Sequence, residues 1–474
     1  MNSDLKNYLR DAVGREQQNI SADNPYREFG FDGGKKRLGW MKDTSFVSIH
    51  TALTKLEGIL AGKDTFIFVG IGGSGNGIKA LLSLFKGVCL YTLDSLDPRA
   101  LKVLAAKIKN PHKTLVVPIS KSGTTLETQL LAQTVRELFG ERWPDHFLWL
   151  SDPAAQEKLN TLGWQRAFKV PIQFDGESDI GGRFSCPHTL IFFLPLFILL
   201  GRDYSKLQQL YQEYCRLLDS LGEEAAELVN QYKGNRNAFF SPYLDEAFGD
   251  SFSAWIVQLF QESLGSKRAD LAVKTICVGP AAAEGFLPVK PQTAIKDPVV
   301  RLMAHMYFFQ VFVALYAGAR RLNFVNQEFV EKYKQAMRQL EGKKENPVEE
   351  KSLSAVITQI KKKIVSRQRC IEVVLFFYPQ ERVICAVRQR LSRAFPGRHI
   401  LVFIGSDWNH HSYQAAFGDK NTYFVFLRRA SYGGRVKLFK ETRLEANVKA
   451  LKTISQATYV TLKNKSFLCA LAQA

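Results

Sequence analysis

Short apolar runs alternate with segments of helical period along most of this chain. The first set is TFIFVGI at 65–71, VCLYTL at 88–93, TLVVPIS at 114–120 and HFLWLS at 146–151. Amphipathic stretches separate them, and a helical stretch over 47–62 precedes them. Strands alternating with such helices predict a parallel sheet covered on both faces. This domain is expected over 45–203, after an irregular or partly helical arm at 1–44. Residues 204–234 carry polar and apolar positions at helical period and read as a connector. A second alternation follows over 235–442, with strands KTICVG, IEVVLFFY, HILVFIG and TYFVFLR and helices at 250–263, 298–317 and 326–341. The charged segment GKKENPVEEKS at 342–352 reads as a loop inside it. Residues 443–474 suggest a helix and a short closing segment. The fold class is therefore α/β, with two mainly parallel sheets flanked by helices. Residues 189–201 are strongly apolar but too short to span a bilayer, and Pro195 interrupts them, so they predict a buried helix.

Composition adds a few limits. The 474 residues, 46% of them hydrophobic, are enough for two or three sizeable cores. The charged start MNSDLKNYLRDAVGREQQ lacks the apolar core of a signal peptide. Seven cysteines at irregular spacing give no disulfide framework and no CxxC, which points to a reducing cytoplasm. The net charge of +19 raises nucleic acid as a partner. Yet the basic residues are spread out, and the densest group, Lys361–Lys363 with Arg367 and Arg369, reads as a solvated helix face. No aromatic platform interleaves with them. Neither a nucleic acid nor a membrane is expected as partner, whereas excess positive charge does draw in anionic metabolites.

The most informative stretch is LVVPISKSGTTLET, 115–128. A Val-rich run ends in Ser120, Lys121, Ser122, Gly123, Thr124 and Thr125, and a helical segment follows at once. Backbone N–H groups, hydroxyls and a helix N-terminus then converge on one point, which suits a phosphate. An earlier loop, Gly70-Ile-Gly-Gly-Ser-Gly-Asn-Gly77, contains GxGxxG between strand and helix, with Asp94 near the distance of a ribose-binding acid. It fits a dinucleotide, a ligand-free tight turn, or a sugar phosphate meeting Gly73 and Ser74. Asp179-Ile-Gly-Gly-Arg-Phe-Ser185 places Arg183 after paired glycines, either as a fixed cation for a developing oxyanion or as a loop cap. In Gln258-Leu-Phe-Gln-Glu-Ser-Leu-Gly-Ser-Lys267, Gln258 and Glu262 share one helix face, and Glu262 ends a largely apolar helix. It is a candidate base.

GIGGSxxG, SKSGTT-ET, GGRFS and QxxxESxGxK, in this order, resemble the phosphoglucose isomerase family, which is built from two sugar-isomerase (SIS) domains. The resemblance covers nearly all of the chain after about residue 45. It implies interconversion of glucose 6-phosphate and fructose 6-phosphate through a cis-enediol, without redox cofactor or metal. Ser120, Ser122 and Thr125 would hold the phosphate, assisted by Lys121 and Thr128. The segment Asn326–Lys334 is similar to the family's Gln-containing segment, so Gln327 would contact phosphate and Lys334 the region of the sugar ring. The family's histidine usually comes earlier in the chain. Here Gly405-Ser-Asp-Trp-Asn-His410-His411-Ser-Tyr-Gln414 follows instead, an order similar to the isomerase half of bacterial transaldolase–glucose-6-phosphate isomerase fusions. An ungapped register selects His410, and a one-residue shift would select His411. His305, inside an apolar helix, reads as core. By the same resemblance Glu262 moves a proton between C1 and C2, Arg183 stabilises the enediolate, and His410 with Lys334 serves ring opening. A homodimer with the histidine donated by the partner subunit is also implied. Two other classes remain open: a NAD-linked dehydrogenase resting on GxGxxG and Asp94, and a sugar-phosphate-binding protein without turnover. The adjacent histidines do not make a metal motif, since no HExxH, HxH or Cys/His set accompanies them.

Overall fold

The computed structural model describes residues 17–21, 24, 27–235, 239–266, 275–325, 329–341, 347–433 and 436–472. Its first half holds strands β1 (Thr65–Val69), β2 (Leu90–Leu93), β3 (Thr114–Pro118), β4 (Leu148–Ser151) and β5 (Phe168–Pro171). All pair in parallel, and bridges Val116–Phe147 and Ile119–Leu150 join β3 to β4. The order is thus β2-β1-β3-β4-β5. β1 and β3 are buried at every position, as expected for apolar runs covered on both faces. Their side chains alternate between two cores. Phe66, Phe68, Leu115 and Val117 join the helical core around Leu190–Leu199. Ile67, Val69 and Val116 join a second core that also contains Val373 and Phe426 of the other half.

Three short strands, β6 (Phe239–Pro242), β7 (Thr275–Ile276) and β8 (Leu287–Val289), make a small parallel sheet with β6 in the middle. The KTICVG run therefore belongs to this sheet and not to the larger one that follows. Its partner β6 is brief and ends in proline, so it leaves little pattern in the sequence. The larger sheet contains β9 (Cys370–Leu375), β10 (His399–Ile404), β11 (Thr422–Arg429) and β12 (Ser466–Leu471). Its order is β10-β9-β11-β12, all parallel, with Glu350–Lys351 on the outer edge. The closing segment expected after the last helix is thus an inner strand. Both sheets follow the order 2-1-3-4, so the two halves repeat one architecture.

Five helices matter for the site: α1 (Leu126–Arg136), α2 (Gly249–Leu264), α3 (Pro298–Ala319), α4 (Val330–Leu340) and α5 (Asp407–His411). α3 is long and apolar enough to cross a membrane, but 89% of that window is buried inside the protein, so it is a core helix. Asp297 caps its N-terminus, accepting from the Val299 amide at 2.8 Å, with Pro298 in the first turn. The apolar helix Leu190–Leu199 is buried, as its sequence predicts. His305 lies in the core of α3, where burial pushes its pKa down to about 4. The N-terminal arm contains a small antiparallel hairpin, Phe31–Asp32 with Lys35–Lys36, which no periodicity announces.

Candidate active site

In an open sheet of order 2-1-3-4, the connections leaving strands 1 and 3 turn to opposite sides and leave a crevice beyond their C-terminal ends. The glycine turn follows β1 and the Ser/Thr loop follows β3, so both flank that crevice. Gly72 has φ +62°, and a Cβ there would lie 3.1 Å from both Gln258 Nε2 and His410 Cβ. Gly73 is needed for close approach, because an added Cβ would meet Gly182 O at 2.5 Å. Ser74 is half-buried beside it. The Gly72 amide donates to Asp407 Oδ1 at 2.8 Å, and Asn76 Nδ2 donates to Asp407 Oδ2 at 3.2 Å. Asp94 is paired with Lys79. The two groups on which a dinucleotide reading rests, a loop amide and the ribose acid, are thus engaged within the chain.

The Ser/Thr loop is held by its own hydroxyls. Ser120 Oγ and Thr125 Oγ1 are 2.9 Å apart, and the Thr124 amide donates to Ser122 Oγ at 3.2 Å. Gly123, at φ +68°, makes the turn. Lys121 Nζ donates to the Ile180 carbonyl and lies 3.6 Å from Asp152 Oδ2. Burial pushes the Lys121 pKa down, with Asp152 opposing. Thr128 is fully buried in the first turn of α1, and its hydroxyl has no hydrogen-bond partner among the described residues.

At the end of α2 the buried Glu262 carboxylate is held at both oxygens. Arg183 Nη1 lies 3.1 Å from Oε1, and Gln258 Nε2 donates to Oε2 at 2.9 Å. Arg183 is itself buried, donating from Nε to Ser263 Oγ at 2.7 Å and from Nη2 to the Phe324 carbonyl. Gln258 also reaches the His410 carbonyl at 3.3 Å. α5 brings its imidazole to α1, where His410 Nε2 lies 2.9 Å from Glu127 Oε1. Burial disfavours charge on both, but their mutual attraction outweighs it, raising the His410 pKa and lowering that of Glu127. His411 points the other way, to Ser412 Oγ at 2.6 Å, and burial pushes its pKa down to about 4. Between the two histidines, His410 is the one brought to the cluster.

The structure therefore gathers Glu262, Arg183, Gln258 and His410 around the glycine turn. A cavity of about 290 Å³ links Arg183 to Lys121 and Ser122 and is also lined by Asp152, Asp32 and Arg37. Lys334 is not brought to this cluster. It is exposed on α4 and paired with Glu331 at 2.9 Å. The buried stripe of α4 runs through Val330, Tyr333 and Ala336, which turns residue 334 to solvent. Gln327 and Lys267 lie outside the described residues. Glu127 went unassigned in the sequence reading although it sits inside the SKSGTT-ET motif. Its place in the first turn after the loop was the available signal. His410 meets Glu127 within the same chain.

Fold and site together define a protein of two repeated parallel α/β sheets. Near the glycine turn lie a buried carboxylate–guanidinium pair and a histidine–carboxylate pair. No protein-family model matches the chain. Over 287 residues it is 29% identical to the glucose-6-phosphate isomerase of Thermus thermophilus, an overlap of 56% of this chain and 65% of that protein. It is 32% identical over 218 residues to the enzyme of the same name from Prochlorococcus marinus, covering 42% of this chain and 40% of the relative. The chain thus spans less than two thirds of the length of these relatives. A crystal structure of a glucose-6-phosphate isomerase from Chlamydia trachomatis superposes with a TM-score of 0.48 at 16% identity, covering 74% of this chain and 80% of that one. The chain is a relative of the phosphoglucose isomerase family.

Proposed function

We propose that this chain is a sugar-phosphate isomerase, with glucose 6-phosphate and fructose 6-phosphate as the interconverted pair. The observation that carries the reading is the Glu262 carboxylate. It is buried and gripped by Arg183 and Gln258, and Arg183 in turn lines one cavity with Lys121 and Ser122 of the Ser/Thr loop. Ser120, Ser122, Thr125 and the neighbouring backbone hold the phosphate, with Lys121 beside them. A remote phosphate supplies binding energy that orients the reacting carbons. Ring opening moves a proton from the anomeric hydroxyl to the ring oxygen, with charged His410 as the acid and Glu127 sustaining its charge. Glu262 then takes the C2 proton. The freed electron pair forms the C1–C2 double bond, and the carbonyl oxygen becomes an enediolate oxygen opposite Arg183. Return of the proton to C1, with transfer of the O2 proton to O1, gives the ketose. No electron leaves the substrate. Lys334 has no part in this scheme. The dimer implied by the resemblance stays within the proposal, with each histidine acting in its own chain.

A coupled assay with fructose 6-phosphate, run beside mannose 6-phosphate, tests the reading. Glu262→Gln keeps the size of the side chain but loses the base and one of its two acceptor oxygens, and should lower kcat by about a thousandfold. Undiminished turnover in that variant removes Glu262 from its role. A wild type that binds fructose 6-phosphate but never converts it defeats the isomerase assignment.

A further inference from the structure

The cavity that joins Arg183 to the Ser/Thr loop has a wall that the sequence patterns did not reveal. Asp32 and Arg37 of the N-terminal hairpin line it, opposite Lys121, Ser122 and Asp152. The hairpin is firmly seated. Phe31 and Leu38 are buried, Phe29 packs on Phe324 with ring centroids 5.0 Å apart, and Asn323 Nδ2 donates to the Phe31 carbonyl at 2.7 Å. Arg37 is therefore carried on a fixed frame.

The cations of this cavity differ in what they have left to offer. Arg183 is taken up by Glu262, Ser263 and the Phe324 carbonyl. Lys121 is turned to the Ile180 carbonyl and Asp152. Arg37 donates from Nη1 to the Ser178 carbonyl at 2.7 Å and sits a loose 3.9 Å from the half-exposed Asp32, with Asp152 of the same cavity also attracting it. Arg37 lines the cavity that Lys121 and Ser122 of the Ser/Thr loop also line. A guanidinium so placed is suited to bidentate capture of a phosphate.

Resting on the isomerase reading above, we propose that Arg37 is a substrate-binding residue. It closes the Ser/Thr cradle from the N-terminal arm and contacts the phosphate of the sugar, with Asp32 moderating its charge. The test uses the full chain and inorganic phosphate as the probe, beside fructose 6-phosphate turnover. Arg37→Gln should raise the KM for fructose 6-phosphate and the inhibition constant of phosphate together, by about tenfold, and the rise in KM should exceed any fall in kcat. Arg37→Lys should fall between. Asp32→Asn, which removes the opposing charge, should tighten phosphate by about twofold. A folded Arg37→Gln whose phosphate inhibition matches the wild type overturns the proposal, whatever happens to kcat, because a structural role alone would spare that constant. Should Arg37→Gln fail to fold, unchanged phosphate affinity in both Arg37→Lys and Asp32→Asn overturns it equally. If the wild type shows no turnover, the isomerase reading fails by itself. Calorimetric titration of phosphate into wild type and Arg37→Gln then decides Arg37 separately: weaker binding in the variant supports it, and equal binding overturns it.

Discussion

A carboxylate as deeply buried as Glu127 is tolerated only with a charged partner, and His410 is that partner. The pair has a definite pH signature. The His410 pKa is raised from 6.5, so its contribution to stability is complete below that value and is lost as pH climbs through the raised pKa. The Glu127 pKa is lowered from 4.5, so its contribution is complete above that value and is lost as pH falls through the lowered pKa. Both are present together between pH 4.5 and 6.5. The melting-temperature gap between wild type and Glu127→Gln is thus expected to be widest in that window and to narrow on either side. A gap independent of pH would mean that the ion pair does not form. At this scale, chemistry was legible where residue type and spacing coincide, as in Gln258 with Glu262 or Arg183 after its glycines. Helical phase was the harder quantity. Tyr333 and Lys334 are adjacent, yet only the first faces inward, and a motif match alone does not record which.

Among the elements, the two glycine turns carry the site as a unit. Residues 70–75 hold the end of β1 against the turn that bears Arg183, and the spacing leaves no room for a methyl group at Gly73. The obstructing atoms are backbone, Gly182 O at 2.5 Å and Arg183 N at 3.0 Å, so no rotamer change relieves them. Gly73→Ala is expected to cost about 2 kcal/mol of stability in denaturant unfolding, and to lower kcat because Arg183 moves with its turn. Wild-type stability and kcat in that variant would show that the turns can separate without disturbing Arg183. The strands that frame the crevice, β1, β3, β9 and β11, were readable because burial on both faces requires continuous apolar runs. The N-terminal hairpin was not. Its strands are two residues each and largely polar, and what holds it, Asn323 and Phe324, lies almost three hundred residues away in the chain.

Across the whole molecule, two sheets of one order meet with different uses of their switch points. Beside the first, Lys121 and Ser122 of the loop after β3 line a cavity. The second, between β9 and β11, is filled by Asp97 of the first half, whose Oδ2 accepts from the Tyr378 amide at 2.8 Å and lies 3.8 Å from Arg429 Nε. The second sheet instead contributes through α5, which follows β10. From there Asp407 reaches the Gly72 amide and His410 reaches Glu127, both in the same chain. If the proposed chemistry uses this arrangement, every group it needs belongs to one subunit, even in a dimer. Glu262→Gln and His410→Gln, each inactive alone, discriminate the alternatives when co-expressed with different tags and purified as the mixed species. In a dimer whose histidine crosses to the partner, one of the two sites regains both residues, and activity recovers to about half of wild type. With the histidine acting in its own chain, neither site does. The expected result is activity no higher than that of the two parents. Recovery would mean that the functional histidine is exchanged between subunits, and that the His410–Glu127 contact within one chain is not the contact that works.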